Sequence, residues 1–436
     1  MNEMSRRLPP PMTGPEEPER PRHHRAGPFG VLDIGTTKIA CLIGRTESDG
    51  TLRVLGLGWQ KGRGVRAGGI VDLDEAEKAI RACVGQAEDM ADTRLRAVTV
   101  NLSCGQPESR LYNVQWPVGG AVGGRPVEEH DIRRVVNEGR ARAAAEGREA
   151  IHILPQTFAV DATEGVLDPR GLFCTTLAAR LHIIDAAATA LRSLGACIAR
   201  CDLDIAELVS APMAAGLATL VEDERELGAT VIDMGGGTTG MAVFGDGQLL
   251  HTAQLPIGGF HVTKDLATGL STSLTHAERL KSLYGNVQSS PDDEREMVPV
   301  HLVGEEEHQI AKVPRSMVVN IIRPRIEETF EYVKDRLDSS GLTRAAGNRV
   351  VLTGGACQLG GVRELAARML NRQVRLGRPH AVRGLPDAAS GPAFATTAGL
   401  LHWAAGEGRT LHDVDLEVAQ PAGLFRRLVN FLKERV

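Results

Sequence analysis

Two aspartates, Asp33 and Asp233, each stand just before a short turn that is rich in glycine and threonine. The turns consist of Gly35, Thr36, Thr37 and Lys38 in the first case and of Gly235, Gly236, Gly237 and Thr238 in the second. Glycine lets backbone N–H groups approach phosphate oxygens because no side chain obstructs them, and threonine hydroxyls add further donors. The two turns therefore predict a site that holds the phosphates of a nucleotide, with Lys38 neutralising part of their charge.

The two carboxylates predict a metal ion in the same site. A nucleotide triphosphate brings Mg²⁺, which prefers oxygen ligands and keeps much of its water shell. Asp33 and Asp233 are placed to hold this ion directly or through water, so we predict ATP and Mg²⁺ as cofactors. Glycine and threonine are also common in ordinary hairpin turns, but two matched turns with matched aspartates favour a phosphate site.

Other nucleotide motifs do not fit the sequence. Gly235, Gly237 and Gly240 have the spacing of a dinucleotide fingerprint, which should open a helix. The residues after Gly240 instead read Met-Ala-Val-Phe and then an Asp-Gly turn, which is typical of continuing strands. No G-x-x-x-x-G-K-[ST] loop is present, so a P-loop enzyme is excluded at the level of motifs.

The elements around the turns are predicted to be strands, because each turn lies between two apolar runs. This unit occurs at residues 29–45 and again at 230–250, which suggests two related halves. Apolar periodicity predicts helices at 74–90, 127–146, 185–194 and 323–337.

Three segments, DIGTTK (33–38), DMGGGTTG (233–240) and LTGGACQLGG (352–361), resemble the phosphate and adenosine motifs of the superfamily of actin, sugar kinases and heat-shock chaperone ATPases. The resemblance implies an α/β fold of two lobes that close over ATP. It implies ribose contacts from Glu278 and Lys281, an i,i+3 pair on one helix face, for which a surface ion pair is the alternative. It also implies that Gly354 and Gly355 let the backbone approach the adenine or α-phosphate, unless they form a plain strand-to-helix turn.

The segment 204–218 resembles the connecting helix that, in active members of the superfamily, begins with Glu or Gln before Pro. Ala211 occupies that place, before Pro212. Alanine neither accepts a proton nor orients water, so hydrolysis should be slow unless another group or a polymer contact substitutes. Asp204 and Glu207 are the candidates nearby in sequence. We expect at most a weak or conditional ATPase, which favours a nucleotide-gated assembly protein over a motor or a sugar kinase.

Further segments resemble the FtsA family of bacterial cell-division proteins, namely IGGFHVTKDLA (257–267), AERLK (277–281) and IIRPRIEETFEYVKDRL (321–337). The resemblance covers about residues 29–403. It implies a small inserted α+β subdomain, which the turn-rich segment 156–171 fits. It also implies that copies polymerise on the membrane, that the second lobe binds the C-terminal peptide of the tubulin-like protein FtsZ, and that later division proteins are recruited.

The chain divides by sequence into seven parts. We expect a disordered tail at 1–28, the first part of the first lobe at 29–104, the inserted subdomain at 105–185, the second part of the first lobe at 186–228, the second lobe with the adenosine motif at 229–404, a linker at 405–421 and an amphipathic membrane-targeting helix at 422–436.

The last segment has apolar side chains at helical spacing between basic ones. The residues expected to contact the membrane are Leu424, Phe425, Arg426, Arg427, Leu428, Phe431, Leu432 and Lys433. Such a helix lies in the headgroup region, with its basic residues attracted to anionic lipid. A terminal helix docked on its own protein is the alternative. One helix of this kind binds weakly, so polymerisation would strengthen attachment through multivalency.

The bulk composition limits the partners. The chain has 436 residues, a net charge of -5 and a pI near 6.3, which argues against nucleic acid. Its seven scattered cysteines are expected to be reduced core thiols. Neither a secretory signal nor a spanning apolar run is present in the sequence, so we expect a peripheral protein on the cytoplasmic face of the cell membrane at the division site. The alternatives are a soluble ATP-dependent kinase or chaperone-like ATPase, and a pilus-assembly actin homologue.

Overall fold

The computed structural model describes residues 27–120, 123–304 and 310–406. The predicted membrane helix, most of the predicted linker and residues 1–26 of the predicted tail lie outside the described residues. Among the helices that the structure describes, none is both long and apolar enough to cross a membrane.

The first lobe begins with an antiparallel meander of three strands. Its elements are β1 (Phe29–Ile34), β2 (Lys38–Thr46), β3 (Leu52–Lys61), β4 (Val65–Arg66), β5 (Gly69–Ile70), α1 (Leu73–Ala91) and β6 (Ala97–Leu102). Every residue of β1 is buried, and β2 and β6 pair with its two edges. β6 runs parallel to β1, whereas β2 and β3 are antiparallel, so the sheet is mixed.

An α+β subdomain follows. It contains β7 (Glu108–Pro117), β8 (Arg125–Pro126), α2 (Glu129–Ala143), β9 (Arg148–Val160), β10 (Thr163–Val166), β11 (Phe173–Cys174) and β12 (Thr176–Ala187). Four of the strands form a sheet in the order β10-β9-β12-β7, and α2 packs on it through buried Ile132, Val135 and Val136.

The chain then returns to the first lobe. This part comprises α3 (Ala188–Arg200), β13 (Asp204–Ser210), α4 (Ala211–Thr219) and α5 (Glu222–Leu227). The helix predicted at 185–194 begins only at Ala188, because residues 185–187 continue β12 and pair with β9. β13 pairs in parallel with β6 at the edge of the first-lobe sheet.

The second lobe is built around a five-stranded sheet in the order β16-β15-β14-β19-β20. The elements of this part of the chain are β14 (Ala229–Met234), β15 (Thr239–Gly245), β16 (Gln248–Leu255), α6 (Gly259–Gly269), α7 (Leu274–Tyr284), β17 (Met297–His301), β18 (Ile310–Pro314), α8 (Arg315–Ser339), β19 (Arg349–Thr353), α9 (Val362–Leu370), β20 (Gln373–Leu376), β21 (Val382–Arg383) and α10 (Ala395–Ala404). Short 3₁₀ turns lie at Pro291–Glu294, Gly355–Gln358, Asp387–Ala389 and Pro392–Phe394.

Helix α8 is longer than the prediction of 323–337. It begins at Arg315 and passes through Pro324. Proline inside a helix removes one backbone hydrogen bond and normally favours a break. Here Val318 and Ile322 before the proline and Ile326 after it are all buried in the second-lobe core, so apolar packing holds the helix together on both sides.

The two lobes share one strand pattern, as the sequence duplication predicts. Asp33 in β1 pairs with Ala40, and Asp233 in β14 pairs with Gly240 at the same register position. A parallel strand flanks each aspartate-bearing strand, β6 in the first lobe and β19 in the second. The predicted two-lobed α/β architecture with an inserted subdomain is confirmed.

A core shared by both lobes lies between their sheets. It contains side chains from α4 and α10 together with Val31 of β1 and Val231 of β14. The last described elements return to the first lobe, since β21 pairs with β3 and α10 packs on β1. All seven cysteines are buried free thiols, as predicted.

Candidate functional site

A cavity of about 490 Å³ lies between the lobes and is lined by both glycine-threonine turns. The predicted residues found in its wall are Asp33, Gly35, Thr36, Thr37, Lys38, Ala211, Asp233, Gly235, Gly236, Gly237, Thr238, Glu278, Lys281, Gly354 and Gly355. Residues that lie as far apart in sequence as the two aspartates thus share one cleft. The predicted membrane residues at 424–433 lie outside the described part of the chain.

The two turns have the same internal hydrogen bond. The Gly35 N–H donates to Lys38 O at 2.9 Å, and the Gly235 N–H donates to Thr238 O at 2.9 Å. The turns also touch, because a Cβ added to Gly237 would lie 2.2 Å from Thr36 Oγ1. Glycine is thus required here for close approach, which leaves backbone N–H groups of both lobes around one small volume.

Each aspartate is held by a threonine from α10. Thr397 Oγ1 donates to Asp33 Oδ2 at 2.8 Å, and Thr396 Oγ1 donates to Asp233 Oδ2 at 2.8 Å. The sequence reasoning did not identify either threonine. The available signal was a Thr-Thr pair at the start of an apolar helix, which by itself does not indicate what the hydroxyls contact.

The electrostatics of the cleft are set by burial. Burial raises the pKa of Asp33, although the Lys38 charge and the Thr397 hydrogen bond act in the opposite direction. Burial likewise raises the pKa of Asp233 to about 6, with a further contribution from the negative charge of Asp33. Burial also lowers the pKa of Lys38, against the effect of both aspartates. The two carboxylates are therefore incompletely compensated, and a bound cation would stabilise their charged forms.

Lys38 is directed at the segment that precedes α10. Its ammonium group donates to Ala393 O and lies 3.5 Å from the ring centroid of Phe394. Both contacts are with groups that carry no formal charge, so the lysine remains available to interact with an anion in the cleft.

The donors in the cleft fit Mg²⁺ and not a site made wholly of protein ligands. Within residues 27–120, 123–304 and 310–406, no three His, Cys, Asp or Glu side chains converge as a metal site. Mg²⁺ usually takes one or two carboxylates, several waters and substrate phosphates. Asp33 and Asp233 line the cleft at the positions where the turns begin, so two carboxylates are present that could hold such an ion.

Glu278 and Lys281 lie on α7 at the second-lobe side of the cavity. Lys281 Nζ is 2.7 Å from Glu278 Oε2 and also donates to Thr263 Oγ1 at 2.8 Å, while Thr263 Oγ1 donates to Glu278 Oε2 at 2.5 Å. The Lys281 side chain is 17% exposed and that of Glu278 is 50% exposed. The two residues therefore form an ion pair that lines the cleft, and their contact with a ribose stays a prediction.

Gly354 packs directly against an aspartate. Its φ is +82°, and a Cβ there would lie 2.4 Å from Asp233 Oδ1. A side chain at this position would be strained and would displace the carboxylate. The adenosine-type motif thus places its first glycine against the metal-binding candidate, and Gly355 begins a 3₁₀ turn beside it.

Ala211 is the first residue of α4 and lines the cavity without a polar group. The two candidates for replacing its function do not line the cavity. Asp204 is exposed at the start of β13, and Glu207 Oε2 accepts a hydrogen bond from Trp403 Nε1 at 2.7 Å. Instead, the structure places the amides of Asn101 and Gln254 in the wall, and the sequence reasoning did not identify either of them.

The duplicated strand-turn-strand units, which face each other across an interlobe cleft with an acidic residue before each turn, define an actin-like fold, a class whose members generally bind nucleotide. Comparison with solved structures supports this assignment of the fold. A solved structure described as "PilM-PilN type IV pilus biogenesis complex" has a TM-score of 0.61 at 17% sequence identity, covering 86% of this chain and 98% of that chain.

Sequence comparison identifies the family. The family described as "Cell division protein FtsA" matches residues 230–399, and "SHS2 domain inserted in FTSA" matches residues 106–185. The cell division protein FtsA of Agrobacterium fabrum is 42% identical over 406 residues, which cover 91% of this chain and 89% of that protein. FtsA of Rhizobium meliloti is 43% identical over 388 residues, which cover 86% and 87% respectively. The chain belongs to the FtsA family of bacterial cell-division proteins.

Proposed function

We propose that this chain binds Mg²⁺-ATP in the interlobe cleft and, in the nucleotide-bound form, assembles on the cytoplasmic face of the membrane, where it tethers FtsZ at the division site. The observation that carries the proposal is the contact between two matched phosphate-type turns, each preceded by an aspartate that lines the cleft. A ligand held by both turns stabilises the closed arrangement of the lobes, so nucleotide would control the surface that each copy offers to the next.

The residues have separate tasks in this proposal. Backbone N–H groups of the two turns bind phosphate oxygens, and Lys38 supplies a positive charge beside them. Asp33 and Asp233 hold the Mg²⁺, which neutralises phosphate charge when it is bound. Glu278 and Lys281, already oriented by Thr263, contact the ribose, while Gly354 and Gly355 let the backbone approach the base or α-phosphate.

Calorimetric titration of the full chain with ATP tests the cofactor assignment. We expect binding in Mg²⁺ that weakens by about tenfold or more when the metal is chelated or when Asp233 is changed to Asn, because a carboxylate ligand is lost. Gln373→Leu is the control, because that side chain is exposed on β20, an edge strand of the second-lobe sheet, and does not line the cavity. Binding that does not depend on Mg²⁺ or on either aspartate would contradict the assignment.

Membrane attachment is proposed for the segment 423–436, which lies outside the described residues. Co-sedimentation with anionic vesicles should be lost when this segment is deleted, while ATP binding is retained. A matched pair of variants isolates the apolar face: Phe431→Asp should abolish sedimentation, whereas Asn430→Asp adds the same charge without removing an apolar side chain and should reduce it far less. Equal effects of the two variants would show that attachment is only electrostatic.

The partners proposed for the assembled form are FtsZ, further copies of this chain and later division proteins. Fluorescence anisotropy of a labelled FtsZ C-terminal peptide, titrated with the full chain, tests the first of them. We expect saturable binding that an unlabelled copy of the peptide displaces and a scrambled peptide does not. Equal displacement by the scrambled peptide would contradict tethering of FtsZ through this segment.

A kinase or chaperone-like ATPase is the alternative from the enzyme class. Ala211 in place of a catalytic Glu or Gln disfavours it, as does membership of a cell-division family. The alternative predicts substantial ATP turnover that lipid does not affect. The proposed function predicts slow turnover and nucleotide-dependent assembly on lipid.

A further inference from the structure

The Gln254 side chain lies in the cleft, near the end of β16. In the antiparallel pairing of β15 and β16, Gln254 is opposite Gly240, which is two residues beyond Thr238 in the second turn. Thr238 and Ala211 line the same cavity. Gln254 therefore lies beside a turn to which the proposed function assigns phosphate binding.

Gly240 and the start of α4 lie close to this amide. A Cβ added to Gly240 would lie 3.0 Å from Gln254 Oε1 and 3.0 Å from Pro212 Cβ. The amide and the first turn of α4 thus share the space over the glycine, and Ala211 is the residue that precedes Pro212. The Gln254 oxygen therefore lies near the residue that follows Ala211, a position without a polar group.

The oxygen of this amide is buried and accepts no hydrogen bond from the residues that the structure describes. Neighbouring acceptors in the wall do have partners: Asn101 Oδ1 accepts from the Ile34 N–H at 2.7 Å, and both aspartates accept from threonine hydroxyls. Native proteins rarely leave a buried acceptor unpaired, and ordered water commonly supplies the partner at a polar site. An acceptor beside a phosphate turn is thus a position for a water molecule.

We propose that Gln254 orients the water that attacks the terminal phosphate of bound ATP, and so supplies the function that Ala211 lacks; this rests on the ATP binding proposed above. A neutral carboxamide accepts a hydrogen bond from the water and directs it without taking its proton. The water oxygen forms a bond to the terminal phosphorus, and the bond from that phosphorus to the bridging oxygen breaks with its electron pair left on ADP. One proton of the water stays on the released phosphate and the other passes to solvent.

The test is phosphate release from Mg²⁺-ATP by the full chain, with ATP affinity measured in parallel. Gln254→Leu keeps the approximate size of the side chain and removes the acceptor, so kcat should fall by about tenfold or more while the ATP Kd changes by less than about threefold. Gln254→Glu keeps an acceptor at the same place and should retain a larger share of the turnover than the leucine variant. Gln373→Leu, on the opposite edge strand of the same sheet, should leave both quantities unchanged.

The outcomes separate this inference from the function on which it rests. Unchanged kcat in Gln254→Leu, or equal losses in the leucine and glutamate variants, would overturn the role of the amide. A wild-type chain that binds ATP but releases no phosphate above background would also overturn it, while ATP binding would stand. A wild-type chain that fails to bind ATP contradicts the proposed function itself.

Discussion

Gly237 is the residue at which the second turn meets the first. A Cα hydrogen of Gly237 faces Thr36 Oγ1 across the cleft, and a Cβ in its place would lie too close to that oxygen. The backbone around it is also where phosphate oxygens are expected to bind. The requirement for glycine at this position therefore has two physical sources, contact between the lobes and access of the ligand to backbone N–H groups.

Changing Gly237 to Ala should weaken ATP binding by about tenfold, equivalent to about 1.4 kcal/mol. The added Cβ would lie 2.2 Å from Thr36 Oγ1 and 3.0 Å from Ala67 N, so the turns must separate. Calorimetric titration with Mg²⁺-ATP measures the change. Gly391→Ala serves as the control, because a Cβ there would meet no atom of the described residues within 4 Å. The ATP affinity of this variant should match that of the wild type. Equal affinities in all three proteins would mean that the turns do not need to touch.

At the scale of elements, the inserted subdomain is bound to the edge strand of the second lobe by a small polar network. Ser109 Oγ lies 2.5 Å from His182 Nε2 and accepts from the Thr252 N–H at 3.2 Å, while His182 Nδ1 lies 3.1 Å from Leu249 O. Since a carbonyl oxygen only accepts, Nδ1 carries the proton and Nε2 accepts from the serine hydroxyl. The insert, which belongs to the first lobe by sequence, is thus hydrogen-bonded to the second.

This network predicts a loss of stability in mild acid. Burial is the main reason that the pKa of His182 falls from 6.5 to about 4, with a smaller contribution from His251. A lowered pKa means that the unfolded chain binds the proton more readily, so the contribution is complete above pH 6.5 and declines as the pH falls toward 4. The total loss would be about 3 kcal/mol for a shift of this size.

Thermal unfolding of the wild type and of His182→Gln between pH 7.5 and pH 4.5 measures this contribution. Glutamine keeps one donor and one acceptor but does not titrate, so the stability difference between the two proteins should shrink or reverse in acid. Carboxylates elsewhere titrate equally in both proteins and cancel in the comparison. Parallel profiles for the two proteins would show that His182 does not titrate across this range.

The crossing of α4 and α10 is a second feature of this scale. A Cβ at Gly399 would lie 1.7 Å from the backbone oxygen of Ala214, so the two helices approach closely at this glycine. Gly399→Ala should destabilise the protein by about 3 kcal/mol, at the upper end of overpacking effects. Gly85→Ala in α1 should instead stabilise the protein by about 0.5–1 kcal/mol, because alanine favours helix and the added Cβ would meet no atom within 4 Å in the part of the chain that the structure describes. Denaturant unfolding monitored by circular dichroism compares the two.

For the whole molecule, the central fact is that the lobes are not independent. They share a core around α4 and α10, and the turns of both line one cleft. A ligand that contacts both turns is released when either lobe unfolds. Binding should therefore stabilise the molecule as a unit, which should unfold in a single thermal transition with a higher Tm.

ATP with Mg²⁺ at about a hundred times its Kd should stabilise the fold by about 2.7 kcal/mol. In a chain of this size that corresponds to an increase in Tm of a few degrees, measurable by differential scanning calorimetry. Asp33→Asn should lose most of the increase, because it removes a metal ligand from the first lobe while leaving the second-lobe turn unchanged. A full shift in that variant would place the ligand on the second lobe alone.

Local sequence determined the features that depend on a few neighbouring residues. Glycine at the turns, the aspartates that precede them and the apolar runs on each side specified two similar hairpins, and similarity of motifs specified the family. Backbone conformation in a turn is a short-range property, because it follows from steric limits on consecutive residues. Local sequence determined the ends of the helices less well. Helix α3 begins at Ala188 because β9 pairs with the residues before it. Helix α8 continues through Pro324 because residues on both sides of the proline pack in the second-lobe core.

Only the tertiary structure decided which side chains meet in the cleft. Thr397 reaches Asp33 across 364 positions and Thr396 reaches Asp233 across 163, and no local pattern encodes such contacts. Gln254 likewise faces the first turn of α4 only because β16 pairs with β15 at one register. The sequence by itself established an actin-like, FtsA-type chain with two phosphate turns. Packing of distant elements, driven by burial of the shared core, decided how the aspartates are held and which amide lies beside them.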